Sequence, residues 1–240
     1  RQFGIMIDAF AADHAGSFDL TEMGMEKLYG PLRKYAGNID DLLLCPSARE
    51  PALYARTTYG WLGATSKAWA SALDPAAIYW KGSYTINRYV GDAQSFLVKG
   101  ITPSKEWLPC LWGAFPERPA RIPVMLDGRA HGSYPGEYPG CFCSDEPADS
   151  PDAADAPDDP WYGIWPFPMD RHLGYTNGLF RDGSVRKVGV KELWTLKWHR
   201  QFNTASPWTR AGGVQPVTGL NGCASSRTTD CPSCVGPAGT

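Results

Sequence analysis

Asp170-Arg-His172-Leu-Gly-Tyr-Thr-Asn-Gly-Leu-Phe180-Arg-Asp182-Gly183-Ser-Val185 carries the clearest structural signal in the chain. Asp-Gly is a preferred pair for a tight hairpin turn, because glycine adopts positive φ freely and aspartate tolerates it. A two-residue turn centred on Asp182 and Gly183 pairs Phe180 with Val185 and Leu179 with Arg186. The strands then run near 176–180 and 185–190. His172 stands just ahead of the first strand, with nine residues between it and Asp182. In this reading it hydrogen-bonds across the base of the hairpin and fixes where the chain enters it. Asp182 belongs to the turn, its carboxylate accepting from nearby backbone amides.

Upstream, Phe3, Met6, Ile7 and Phe10 recur at three- and four-residue spacing, which predicts an amphipathic helix ending near Ala15 and Gly16. Its apolar stripe needs a sheet to cover it. Met25, Leu28, Leu32 and Tyr35 repeat the period in a second segment, with Thr21 as its cap and Pro31 kinking or splitting it. Gly82-Ser-Tyr-Thr-Ile-Asn87 reads as a strand. Downstream of the hairpin, Val190, Leu193, Trp194, Leu196, Trp198 and Phe202 read as a helix. Trp194, Trp198 and Phe202 would line up on it as an aromatic stripe, packed on the sheet or offered to a neighbouring subunit. His199 beside that stripe reads as a surface or capping residue.

Several pieces in this order resemble the His-x9-Asp-Gly domain of bacterial prepilin-type proteins, related to type IV pilins and the pseudopilins of type II secretion. They are His172 with Asp182-Gly183, the opening Arg1-Gln-Phe-Gly-Ile5 and Asp8-Ala-Phe-Ala-Ala-Asp13, Leu42-Leu-Leu-Cys45-Pro-Ser47, Ile122-Pro-Val-Met-Leu-Asp127, and Val188-Gly-Val-Lys-Glu-Leu-Trp-Thr-Leu-Lys-Trp-His-Arg200. The resemblance implies an α+β fold: a pilin-like head whose N-terminal helix packs on an antiparallel sheet, with long irregular loops. It also implies a prepilin leader and an apolar helix upstream of Arg1, through which alone the protein would meet the membrane. The implied partners are other pilin-like subunits, prepilin peptidase acting on the precursor, and the secretion or pilus assembly machinery. The implied location is the periplasm or cell surface, anchored in the inner membrane before assembly.

Composition agrees with a globular head. Hydrophobic residues make up 43% of 240 residues and the formal charge is -2, a balance that gives no support to a nucleic-acid partner. The six Arg and Lys between Arg181 and Arg200 are interrupted by Asp182 and Glu192, as on a solvated face. No stretch approaches the roughly twenty apolar residues that cross a bilayer. Residues 1–208 read as one head domain. Within it, 144–160 holds seven acids, four prolines and no base, an extended solvated loop without the alternating spacing of a calcium site. Residues 209–240 form a Cys/Gly/Ser-rich tail, expected to be poorly ordered.

Seven cysteines, Cys45, Cys110, Cys141, Cys143, Cys223, Cys231 and Cys234, favour an oxidising compartment, and the odd number leaves at least one unpaired. Cys231-x2-Cys234 has half the spacing of a zinc site without a nearby fourth ligand, which favours a disulfide or free thiols. Common nucleophile, phosphate-loop, zinc-protease and dinucleotide motifs are absent. The function expected is a non-enzymatic structural subunit without a cofactor. One alternative is a surface-exposed carbohydrate- or protein-binding module using the aromatics between Tyr59 and Trp112. Another is a metal-dependent hydrolase in which Asp127, His131, Asp170 and His172 converge on a divalent ion, calcium included.

Overall fold

The computed structural model describes residues 2–14, 30–51, 56–57, 60–71, 80–91, 110–112, 117–130, 132–133, 164, 166–167 and 171–204. Helix α1, Gln2–Asp13, buries Phe3, Gly4, Met6, Ile7, Phe10 and Ala11, the stripe its sequence spacing predicts. The second predicted helix is represented by a 3₁₀ turn, Gly30–Tyr35, with Pro31 inside it. Met25, Leu28 and Thr21 lie outside the described residues. The 3₁₀ turn is tied to α1 where Tyr35 donates its hydroxyl to Asp13 at 2.7 Å and its ring meets Phe10 edge-on at 6.2 Å. A short helix α2, Ile39–Leu42, follows, capped by the Asn38 side chain, which accepts from the amides of Asp40 and Asp41.

Two sheets form, so the architecture is mixed α+β. Strands β1 (Arg56–Thr57), β2 (Gly60–Trp61), β3 (Trp69–Ser71) and β4 (Trp80–Gly82) make an antiparallel meander. Strands β5 (Tyr84–Asn87), β6 (Pro123–Asp127), β7 (Gly132–Ser133), β8 (Tyr175–Phe180) and β9 (Val185–Gly189) make the second sheet, in the order β7-β5-β6-β8-β9. The pairs β5–β6, β6–β8 and β8–β9 are antiparallel, and β5–β7 is parallel. The predicted strand at Gly82–Asn87 is therefore split at Ser83, where the chain passes from one sheet to the other. Ser83 is fully buried. Its N–H donates to Leu43 O at 2.7 Å, its hydroxyl to Ala48 O, and its carbonyl accepts from Gly128 N at 2.9 Å.

The second sheet is buried on both faces, and side-chain alternation sorts its residues between two cores. Ile86, Met125 and Leu179 pack with Phe3, Met6, Ile7 and Phe10 of α1. Leu126, Phe180 and Val188 pack on the opposite face with Leu193, Trp194, Trp198 and Phe202. An irregularity in β6 between Pro123 and Met125 places Val124 in the α1-side core with Met125, because a bulge interrupts alternation.

The hairpin is where the sequence placed it, but its register differs. Leu179 pairs with Val185 and Gly178 with Arg186, one residue away from the predicted Phe180–Val185 and Leu179–Arg186 pairs. Phe180 N donates to Ser184 O and Gly183 N to Phe180 O, each at 2.9 Å, so Arg181, Asp182 and Gly183 form a three-residue loop. Only Gly183 takes positive φ, 77°. A type I turn followed by a left-handed glycine is the standard alternative to the two-residue turn. It relieves Asp182 of the left-handed conformation and leaves its carboxylate to accept from Ser184 N at 3.0 Å and Ser184 Oγ at 2.6 Å.

The segment after β9 is not the long helix predicted. A 3₁₀ helix, Val190–Thr195, ends at Leu196, and the chain continues irregularly through Trp198, His199 and Phe202. Without α-helical spacing the aromatic stripe does not exist. Trp194, Trp198 and Phe202 are each at most 1% exposed in the core of their own chain, so they offer no docking surface. His199 is likewise buried rather than on the surface. Asn87 holds this segment to the sheet: its Nδ2 donates to Pro123 O at 2.9 Å and Trp198 O at 2.8 Å, and its Oδ1 accepts from Tyr89 N at 3.1 Å.

Candidate functional site

Asp127 ends β6 on the face that carries Met125, opposite Tyr84 of β5. It is fully buried and its carboxylate is the centre of a polar cluster. Oδ2 accepts from Asn177 N at 2.6 Å and lies 3.4 Å from Thr176 Oγ1, both on β8. Oδ1 lies 3.4 Å from Arg171 NH1, with both side chains fully buried. The Arg171 guanidinium also donates to four backbone carbonyls. Nε reaches Thr65 O at 2.9 Å, NH1 Ser83 O at 2.6 Å, and NH2 Ala64 O at 2.9 Å and Lys67 O at 3.4 Å. A planar fork of five N–H groups suits such a carbonyl-lined slot, and it joins the β2–β3 connection to Ser83 and to Asp127 at the end of β6.

His172 enters from the turn before β8. Its N–H donates to Tyr175 O at 3.2 Å, and between them Leu173 and Gly174 have φ of 57° and 86°. The primed, two-residue turn that the sequence assigned to Asp182-Gly183 is therefore found at Leu173-Gly174. Leucine at positive φ is strained, and Leu173 is 92% exposed, so no packing compensates within the chain. The turn directs the imidazole away from the base of the hairpin, where it was expected, and toward β6. His172 Nε2 stands 3.2 Å from Asp127 Oδ2.

The third member comes from the Cys45–Ala48 turn after α2, closed by Ala48 N donating to Cys45 O at 2.9 Å. The resemblance would put Cys45 at the end of a strand, but it makes only an isolated bridge with Ala48. Its thiol is free, 2% exposed, and lies 3.7 Å from the same His172 Nε2. Sulfur, carboxylate oxygen and imidazole nitrogen all lie within 4.8 Å of one another. Because one ring nitrogen faces both neighbours, His172 does not stand between Cys45 and Asp127 as a proton relay, which requires both ring nitrogens. Beside them, burial first and then the charges of Asp127 and Cys45 push the Tyr84 hydroxyl above its ordinary pKa. Tyr84 and Asn177 also line a cleft of about 280 Å³ between α1, α2 and the sheet.

Of the four predicted metal-site residues, Asp127 and His172 come together, whereas His131 and Asp170 lie outside the described residues. Cys45 and Arg171 were not singled out as site residues. Cys45 stood in the quoted Cys-Pro-Ser segment, but no local spacing links it to a residue 127 positions away. Arg171 adjoins His172, and nothing in sequence separates a buried arginine from a solvated one.

Trp69, Trp80 and Tyr89 are buried, so these three rings form no sugar platform. Tyr59, Tyr79, Phe96 and Trp107 lie outside the described residues, as do the 144–160 segment, the 209–240 tail and Cys141, Cys143, Cys223, Cys231 and Cys234. Among the described residues no helix is long and apolar enough to cross a membrane. Compared with known proteins, the chain matches no family model, no curated protein and no solved structure.

Proposed function

We propose that this chain is the head of a non-enzymatic structural subunit, similar to a pseudopilin or minor pilin of a type II secretion or type IV pilus-like filament. The observation that carries this reading is the way the His-x9-Asp-Gly residues act on the backbone. His172 fixes the entry to β8 through Asp127, Asp182 closes the β8–β9 loop, and Gly183 supplies its left-handed residue. The buried stripe of α1 lies on the same sheet, and Asp8 reaches the hairpin loop at Arg181, 3.8 Å away. A helix laid on an antiparallel sheet and keyed to its hairpin is the arrangement that a stem-and-head filament subunit requires. In this reading an upstream apolar stem drives assembly outside the cytoplasm, prepilin peptidase trims the precursor, and the head provides the fibre surface.

The test uses the full-length parent protein in its own cells. Prepilin peptidase should shorten it, and the shortened form should appear in the sheared filament fraction or in a periplasmic pseudopilus. An unchanged length when the peptidase gene is deleted, with the protein absent from any filament fraction, would remove the proposal.

A further inference from the structure

We infer that Cys45, Asp127 and His172 form a three-ligand zinc site, open at its fourth position, that clamps the Cys45–Ala48 turn to the end of β6 and the start of β8. The ligand atoms suit zinc in kind: one thiolate sulfur, one imidazole nitrogen and one carboxylate oxygen, with a fourth position for water. Two of the three separations suit it as well, and all three atoms lie within 4.8 Å of one another. Bonds of about 2.3 Å to sulfur and about 2.0 Å to nitrogen and oxygen, at tetrahedral angles, separate sulfur from nitrogen by about 3.5 Å and nitrogen from oxygen by about 3.3 Å. The observed separations are 3.7 Å for Cys45 Sγ to His172 Nε2 and 3.2 Å for His172 Nε2 to Asp127 Oδ2.

Hydrogen bonding alone satisfies this cluster poorly. If Nε2 carries a proton, it has one hydrogen for two acceptors. If Nε2 is bare, it accepts from the thiol and turns a lone pair toward the carboxylate. Either tautomer leaves one contact unmet, whereas a cation between the three atoms uses a lone pair from each. The surroundings are compatible. Asp127 Oδ2 accepts from Asn177 N at 2.6 Å and, at a longer 3.4 Å, from Thr176 Oγ1, a contact the ion would replace, while Arg171 holds Oδ1 and so orients the carboxylate. Cys45 and Asp127 are buried, and the His172 side chain is 23% exposed, which leaves a route for the ion. The ligands come from positions 45, 127 and 172, so the ion would close two long loops and join segments that the hairpin motif alone leaves independent.

The test is zinc binding by the 240-residue chain, followed by metal analysis after gel filtration, by cobalt(II) absorption and by thermal unfolding. The natural chain should hold one equivalent lost in C45S and weakened tenfold or more in H172Q, since even outer partners of a ligand are worth about 10–100-fold in affinity. C231S, in the tail, should keep it. Cobalt should give a thiolate charge-transfer band that C45S abolishes, and zinc should raise the unfolding temperature of the natural chain but not of H172Q. If C45S does not fold, the natural chain and H172Q decide: equal zinc affinity in the two sinks the proposal. So does a natural chain without the cobalt–thiolate band, or a C45S chain that retains its equivalent of zinc.

Discussion

Arg171 and Asp127 form an ion pair at 3.4 Å with both side chains fully buried, and it sits where the two sheets exchange the chain at Ser83. The pair is tolerable because neither charge relies on the other alone. The guanidinium lies among backbone carbonyls, and the carboxylate accepts from Asn177 N. Replacing Arg171 with Met should therefore destabilise by about 3–5 kcal/mol, the usual cost of leaving one buried charge and several carbonyls unmatched. R171K should recover little of this, since an ammonium cannot span the slot from Thr65 O to Ser83 O. Urea midpoints of the two variants measure both effects, and a natural-like R171K would show that charge alone is needed.

His199 should make stability fall in mild acid. Burial, and then the nearby charge of Lys197, lowers its pKa from 6.5 to about 3, and its Nε2 has no partner among the described residues. The folded protein thus keeps the ring neutral where the unfolded chain protonates it. Its contribution is complete above pH 6.5 and is lost progressively as pH falls from there toward 3. The slope is about 1.4 kcal/mol per pH unit inside that window, or about 2 kcal/mol between pH 7 and pH 5. H199F, whose ring fits between Tyr89 and Phe202, should flatten this part of the profile in paired urea titrations. An unchanged slope would place the sensitivity elsewhere.

At the hairpin loop the cost of substitution should be conformational rather than steric. A Cβ on Gly183 would come no nearer than 3.9 Å to Asp8 Oδ2, yet φ is 77°. Gly183→Ala should cost about 1–2 kcal/mol and Gly183→Asn clearly less, because asparagine tolerates left-handed backbone. Asp182→Ala should show a loss near neutrality that shrinks in acid. Hydrogen bonds from the Ser184 hydroxyl hold the Asp182 carboxyl below its ordinary pKa, so its contribution is present above that ordinary value and disappears as pH falls through the lowered one. Thermal unfolding of the three variants at neutral and acid pH reads out both points.

Leu173 offers the opposite case, a residue whose replacement should help. It is 92% exposed at φ 57°, so its side chain gains nothing from packing and strains the backbone. Leu173→Asn should raise stability by about 0.5–1 kcal/mol while leaving His172 in place. A lower urea midpoint would mean that the leucine side chain makes a contact worth more than the strain.

Elements whose causes are local are legible in the residues alone. The 3-4 spacing of Phe3, Met6, Ile7 and Phe10 decided α1, and turn chemistry around Asp182-Gly183 decided that β8 and β9 form a hairpin. What sequence reading misjudged were choices among local solutions of nearly equal energy. A three-residue loop replaced the two-residue one and shifted the register, and burial of Trp198 and Phe202 without helical spacing ended the predicted helix at Leu196. The cluster was decided by tertiary structure alone. Cys45, Asp127 and His172 meet because a turn after α2, the end of β6 and a strained turn before β8 converge on one end of the sheet. Arg171 is buried there because the backbone carbonyls of Ala64, Lys67 and Ser83 happen to surround it. Periodicity and propensity act over a few residues, whereas contacts across 127 positions arise only when packed layers bring them together.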